Sequence, residues 1–313
     1  SFKMAKIMDI IKNKDFKTVD ETTEITLVTH CSKPVFHADE VAATALHKFL
    51  FQDVYKFKNV KVVKTFDPAK MGYTDDTPNC VIYDVGMGMY DHHQHHPDDA
   101  HCIREDSDGV KRKYSSVGLI WKEIGHLFVK DEYVESVYNS FIKYIDDNDN
   151  GFGYNPLSYA ISNLNTYANS KSDNEKEFNL AVTIFSIFFI NIISTCRRKT
   201  AESEAAEYLV DYAKKYNKGI YAYSSSYVPS ILNICAKEGV PFYIYPNVRG
   251  GYVFRTITPI GGEMNDHLID IPEEVRNWDG VNFLHHSCFM GSADTKERAI
   301  EIVEKIYEDN KKK

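Results

Sequence analysis

The run Cys80-Val81-Ile82-Tyr83-Asp84 is apolar until it ends in an acid, and it is followed closely by Tyr90-Asp91-His92-His93-Gln94-His95-His96. A short apolar run of this kind reads as a buried strand. Two similar runs precede it. Glu24-Ile25-Thr26-Leu27-Val28-Thr29-His30 ends in a polar residue, and Val60-Lys61-Val62-Val63-Lys64 is the second. Between them, Ala38 to Phe51 reads as a helix opening on Asp39-Glu40, acids that suit a helix N-terminus. Strands alternating with helices predict an α/β fold with a parallel sheet. In such sheets ligands sit beyond the carboxyl ends of the strands. His30 and Asp84 both fall there, on separate predicted strands.

Working outward, residues 94–113 read as a polar loop, and Ser115 to Val129 and Asp131 to Asp147 as helices. Residues 175–216 read as helical, with a break near Lys199-Thr200. After them come predicted strands at 219–223, 242–245 and 252–257 and helices at 228–238 and 295–310. This pattern divides the chain into a catalytic region 1–170, a helical connector 171–217 and a smaller α/β region 218–313. Phe178 to Cys196 carries no charge over 19 residues, long enough for a membrane span. A polar stripe through Asn179, Thr183, Ser186 and Ser194 instead points to a buried helix of a protein that does not enter the membrane. Such a helix also suits a homodimer contact.

The chain has 313 residues, with 43% hydrophobic and 26% charged, as expected for a folded globular protein. Its 37 basic against 45 acidic side chains give a net charge of −8. That balance argues against a broad basic face for long nucleic acid and leaves room for a local cleft. The six cysteines are scattered with no CxxC pair, which excludes a disulfide framework and a cysteine zinc knuckle and fits a reducing, intracellular compartment. No secretory signal is expected from the first residues.

Histidine placement carries the chemistry. Four imidazoles fall between His92 and His96, after Asp91. Upstream lie Thr29-His30 and His37-Ala38-Asp39, and downstream lies Asp146-Asp147-Asn148-Asp149-Asn150-Gly151. Imidazole and carboxylate together hold divalent first-row metals, and such a set can hold two, about 3.5–4 Å apart, through a bridging carboxylate. The share of carboxylates favours manganese, with magnesium and zinc as alternatives.

With these residues in place, Asp91-His92-His93 resembles the defining motif of the DHH phosphoesterases, and the chain as a whole resembles the MYG (melanocyte-proliferating gene) family of metal-dependent hydrolases. The stretches that carry the resemblance are Thr29-His30, Phe36-His37-Ala38-Asp39-Glu40, Val81 to Gly86, Tyr90 to Gln94, Ser115-Ser116-Val117-Gly118-Leu119-Ile120-Trp121, Asp146 to Gly151 and Arg249-Gly250-Gly251. The resemblance implies a DHH catalytic domain, a helical connector and a DHH-associated C-terminal domain. It implies phosphodiester hydrolysis, as a 3′-to-5′ exonuclease on short single-stranded RNA in mitochondria or nucleus. Small phosphate esters such as nucleotides, and a degenerate binding module, are the alternatives. By the same resemblance, His30, His37 and Asp84 hold one metal. Asp39, Asp84, His92 and a downstream acid hold the other, with Asp149 the first choice for that acid and Asp146 the second. His93 faces the substrate phosphate, and Asp91 orients a neighbouring imidazole. Arg249, Gly250, Gly251 and His285 are implied in substrate binding. The sequence departs from the family in a longer segment between His30 and His37 and at Cys288, Ser292 and Ser292-Ala293-Asp294.

Overall fold

The computed structural model describes residues 6–15, 19–30, 35–94, 102–165 and 174–313. The chain divides into two compact units, Ser1–Arg197 and Arg198–Lys313. That boundary lies within a single helix, between the two divisions drawn from the sequence. The lengthened segment 31–34, and His95 and His96, lie outside the described residues.

The first unit is built on a three-stranded parallel sheet in the order β2-β1-β3, with β1 at Glu24–His30, β2 at Asn59–Thr65 and β3 at Cys80–Tyr83. Ile25, Leu27 and Val28 of β1 are fully buried, as expected of a central parallel strand covered on both faces. Helix α2, Ala38–Lys48, continues into a wider π-helical turn at Phe49–Val54 and connects β1 to β2. The chain then crosses to the opposite side of β1 to form β3. β2 and β3 thus flank β1 on opposite sides, and a crevice opens between the carboxyl ends of β1 and β3.

The other helices of this unit are α1 (Lys6–Asp15), α3 (Ser116–Ile124), α4 (Asp131–Val137), α5 (Lys143–Asp149) and α6 (Pro156–Ser162). The single predicted helix over 131–147 is two, joined by a π-helical turn at Tyr138–Ile142. Residues 94–113 are not all loop: β4 (Ile103–Glu105) and β5 (Lys111–Lys113) form an antiparallel hairpin. Its strands are charged and lack apolar alternation, so the usual strand signal is missing.

Helix α7 runs unbroken from Glu175 to Tyr216. The expected break at Lys199-Thr200 does not occur, because no proline or glycine interrupts the run and Arg and Lys are good helix formers. Phe178, Ala181, Val182, Phe185, Phe189 and Ile193 bury one stripe in the core of the first unit. Further along, Ala206, Val210 and Ala213 are buried in a core of the second unit, while Leu180, Ile187 and Ile190 are exposed. By length and composition it could cross a membrane.

The second unit is a five-stranded sheet in the order β6-β7-β8-β10-β9. Its strands are β6 (Tyr221–Tyr223), β7 (Phe242–Pro246), β8 (Tyr252–Thr256), β9 (Val281–Leu284) and β10 (Met290–Ala293), with helices α8 (Ser230–Glu238) and α9 (Lys296–Lys311). Only β6 and β7 are parallel; the other pairs are antiparallel. Ala299, Ile302, Val303 and Ile306 of α9 are buried with Phe242, Ile244 and Phe254 of the sheet.

One buried group makes the first unit acid-sensitive. His47 on α2 is fully buried, with Nδ1 2.7 Å from the Ala43 carbonyl oxygen and its ring stacked at 4.7 Å on Tyr83. Burial pushes its pKa down to about 4. The imidazole stays neutral in the fold but charges in the unfolded chain below about pH 6.5. Stability is therefore lost as pH falls from about 6.5 to about 4, by up to about 3 kcal/mol from this group. Urea unfolding midpoints between pH 7.5 and 4.5 should fall less steeply in His47→Phe than in the parent chain.

Candidate metal centre

Three sequence segments converge on the crevice between β1 and β3. The first is the junction of β1 and α2. His30 ends β1, and His37 caps α2 with its backbone N–H donating to Glu40 Oε1 at 2.8 Å. Glu40 is buried, and its Oε2 lies 3.0 Å from His30 Nδ1. Its neighbour Asp39 is also fully buried.

The second segment follows β3. Asp84 adopts a left-handed backbone conformation, φ 61°, and its N–H donates to the Tyr90 carbonyl at 3.1 Å. Aspartate is among the few side chains that accept this geometry. The turn brings the chain back so that Asp91, His92 and His93 follow beside Asp84. Tyr90 anchors it from behind, its hydroxyl donating to Glu123 Oε2 at 2.7 Å and accepting from the Ile7 N–H at 3.2 Å. Asp91 Oδ2 accepts the Met87 N–H at 2.9 Å, and Asp91 Oδ1 is 2.7 Å from His93 Nδ1. The third segment is the end of α5, which supplies Asp149 and Asn148.

His92 stands at the meeting point. Its Nε2 is 3.0 Å from Asp149 Oδ2, 3.3 Å from Asp84 Oδ1 and 3.9 Å from Asp39 Oδ2. The crevice has a volume of about 280 Å³ and is lined in part by His30, His37, Asp39, Asp84, His93 and Asp149.

The electrostatics of this arrangement are unfavourable for the protein alone. Burial and the charges of Asp149 and Asp84 hold the Asp39 carboxyl well above its ordinary range. Burial likewise raises Glu40, against the opposing pull of His30. Burial tends to lower His92, but the carboxylates of Asp149 and Asp84 outweigh it and raise the imidazole to about 11. The close Glu40 carboxylate raises His30, and the hydrogen bond to Asp91 raises His93. Asp39 is nevertheless placed to carry charge. It accepts from the Ser115 hydroxyl at 2.7 Å and from the Val117 and Ser116 N–H groups at 2.8 and 3.2 Å, at the N-terminus of α3.

Those contradictory demands are what a cation resolves. His30 Nδ1, Glu40 Oε2 and His92 Nε2 are buried and make no well-directed hydrogen bond despite their close neighbours. Three sets have ligand atoms within 4.8 Å of one another: His30, His37 and Glu40; Asp84, His92 and His93; and Asp39, His92 and Asp149. Imidazole nitrogen mixed with carboxylate oxygen fits a divalent first-row cation.

His30, His37, Asp39, Asp84, His92, His93 and Asp149 are thus gathered in one crevice. Asp91 lies one step behind it, against His93. Asp146 is elsewhere: fully buried, it is hydrogen-bonded to Ser115 and to the Tyr138 hydroxyl at 2.6 Å. Arg249, Gly250 and Gly251 form the turn between β7 and β8 in the second unit, with Arg249 exposed. Gly251 has φ 77°, and a Cβ there would lie 2.4 Å from the Ala293 carbonyl oxygen, so the close approach of β10 requires glycine. His285 follows β9 and pairs through Nδ1 with Ser287 Oγ at 2.7 Å. Glu40 is the residue that sequence reasoning missed as a site group. It read as a helix-opening acid, although its place three residues after His37 puts both on one helix face.

Fold and site define an α/β protein with a histidine and carboxylate centre suited to divalent cations. The chain belongs to the family described as "Uncharacterised protein family (UPF0160)", whose MYG1 exonuclease model matches residues 26–238. That match contains every crevice residue and stops short of Arg249 and His285. The chain is 22% identical to the "MYG1 exonuclease" of Rattus norvegicus over 85% of this chain and 81% of the relative. It is 22% identical to that of Homo sapiens, over 85% and 82% respectively. With the "MYG1 protein C694.04c" of Schizosaccharomyces pombe it shares 29% identity over 44% of this chain and 43% of the relative. No solved structure matches.

Manganese should raise the melting temperature of the chain at pH 8, since a ligand bound at about 100 times its Kd adds about 2.7 kcal/mol. The rise should shrink towards pH 5 as protons compete for Asp39 and Glu40, both held above their ordinary range. Calorimetric melts with and without manganese across that range check both points.

Proposed function

We propose that this protein is a two-metal phosphodiester hydrolase of the DHH type, acting as a 3′-to-5′ exonuclease on short single-stranded RNA. The observation that carries the reading is the single crevice holding His30, His37 and Glu40 beside Asp39, Asp84, His92 and Asp149. The printed names of its relatives, MYG1 exonuclease, support the same activity.

In this reading His30, His37 and Asp84 hold one cation, and Asp39, Asp84, His92 and Asp149 hold the other, with Asp84 shared. Manganese suits the carboxylate-rich set. Bound there, the two cations lower the pKa of water and offset charge on the phosphoryl oxygens.

The chain's own residues supply the rest. Glu40 ties the two histidines together: its Oε2 lies 3.0 Å from His30 Nδ1, and its Oε1 accepts the His37 backbone N–H at 2.8 Å. His93 is 59% exposed at the crevice mouth, and Asp91 accepts at its Nδ1. That leaves Nε2 to donate to a phosphate oxygen, and the proton favoured by Asp91 strengthens the donation. The net charge of −8 gives no long basic track, so affinity comes from the crevice and the substrate is short.

Degradation of a short 5′-labelled RNA in manganese tests the reading. The parent chain should shorten it from the 3′ end, and Asp84→Ala and His92→Ala should each reduce the rate at least 100-fold. No cleavage of RNA with manganese bound would shift the substrate to small phosphate esters. No cleavage together with no bound manganese would overturn the enzymatic reading.

A further inference from the structure

Asp146 is a fully buried carboxyl group that the reading above leaves without a task. It belongs to a chain of hydrogen bonds that ends at the crevice. Arg104 Nη1 donates to the Tyr138 hydroxyl at 2.9 Å, and that hydroxyl donates to Asp146 Oδ2 at 2.6 Å. Asp146 Oδ1 pairs with Ser115 Oγ, and Ser115 Oγ is 2.7 Å from Asp39 Oδ1. Arg104 is held in turn by Asp147 and by Asp106 Oδ1, the latter at 2.9 Å from its Nε.

The Ser115 hydroxyl has one hydrogen but meets two carboxyl oxygens, so one of the two contacts takes its hydrogen from a carboxyl group. Ser115 is thereby the joint between Asp146 and Asp39, and the Ser116 and Val117 N–H groups hold the Asp39 carboxyl from the helix end.

We propose that Asp146 is a positioning residue: through its buried hydrogen bond it orients Ser115, which sets the Asp39 carboxylate for cation binding. The proposal rests on the metal reading of the crevice. It also explains Gly118, where a Cβ would lie 2.0 Å from Asp146 Oδ2, so that only glycine leaves room for the carboxyl group.

The substitution that separates a hydrogen-bonding partner from a charged ligand is Asp146→Asn. Its amide can donate to Ser115 and accept from Tyr138, but it carries no charge for a metal. Manganese binding to the full chain, measured by titration calorimetry alongside cation-free melting curves, provides the test. Asp146→Asn should bind manganese within about threefold of the parent. Asp146→Ala and Ser115→Ala should weaken binding about 10–100-fold, the usual range for groups behind a metal ligand. Ser115→Ala should do so with its cation-free melting temperature little changed, which a merely structural role would not produce.

Should Asp146→Ala fail to fold, Ser115→Ala carries the test, since it keeps Asp146 and Tyr138 paired. Equal loss in Asp146→Asn and Asp146→Ala would overturn the proposal in favour of a charged ligand role. Unchanged affinity in Ser115→Ala would overturn it as well. In both cases the parent chain still binds manganese, so the metal reading survives. Absence of binding in the parent chain would remove both.

Discussion

One imidazole nitrogen, His92 Nε2, lies within 4 Å of three carboxylates in a buried crevice. Like charges about 4 Å apart repel by about 4 kcal/mol near a protein surface, and more where water is scarcer. No arrangement of the protein alone satisfies Asp39, Asp84 and Asp149 together. The surrounding structure nonetheless holds all three in place: Asp84 by a left-handed turn, Asp39 by a helix N-terminus and a serine, and Asp149 at the end of α5. The His92 imidazole, its proton favoured by these acids, offsets part of the repulsion. The core of this unit, with Tyr83, Tyr90 and Trp121 almost wholly buried, holds the turns and helix ends that carry the acids.

The fold supplies the crevice by topology. Because β1 is central, with β2 on one side and β3 on the other, residues distant in sequence meet at the carboxyl ends of β1 and β3. Asp39 and Ser115 come from separate helices, yet their side chains touch at 2.7 Å. The stretch Ser115-Ser116-Val117-Gly118 then has a reason residue by residue. Ser115 bridges two carboxyl groups, Ser116 and Val117 present N–H groups to Asp39, and Gly118 makes space for Asp146.

Where apolar pattern and structure share a period, the sequence was legible. β1 was read to its observed ends and β3 within a residue, because buried parallel strands are continuous apolar runs, and the half-exposed edge strand β2 was read within a residue from its valines. The hairpin β4–β5 was not legible, since its strands are charged rather than apolar, with Arg104 and Arg112 met by Asp106, Asp108 and Asp147. The division of residues 131–149 by a wider helical turn leaves no mark on hydrophobic spacing. The continuity of α7 was misread because a basic cluster, Arg197-Arg198-Lys199, resembles an exposed connection although it propagates a helix well.

The sequence by itself marked most of the imidazoles and carboxylates that meet in the crevice and the strand ends that present them, because ligand types and apolar runs are properties of local composition. Only the tertiary structure decided which acid does what. Asp146 and Asp149 sit three residues apart on α5, yet Asp146 points into the core to meet Ser115 and Tyr138 while Asp149 reaches His92. Adjacent Asp39 and Glu40 part in the same way, one towards Ser115 and one between His30 and His37. A helix turns about 100° per residue, so neighbouring acids face different surroundings, and those surroundings are set by packing from distant parts of the chain.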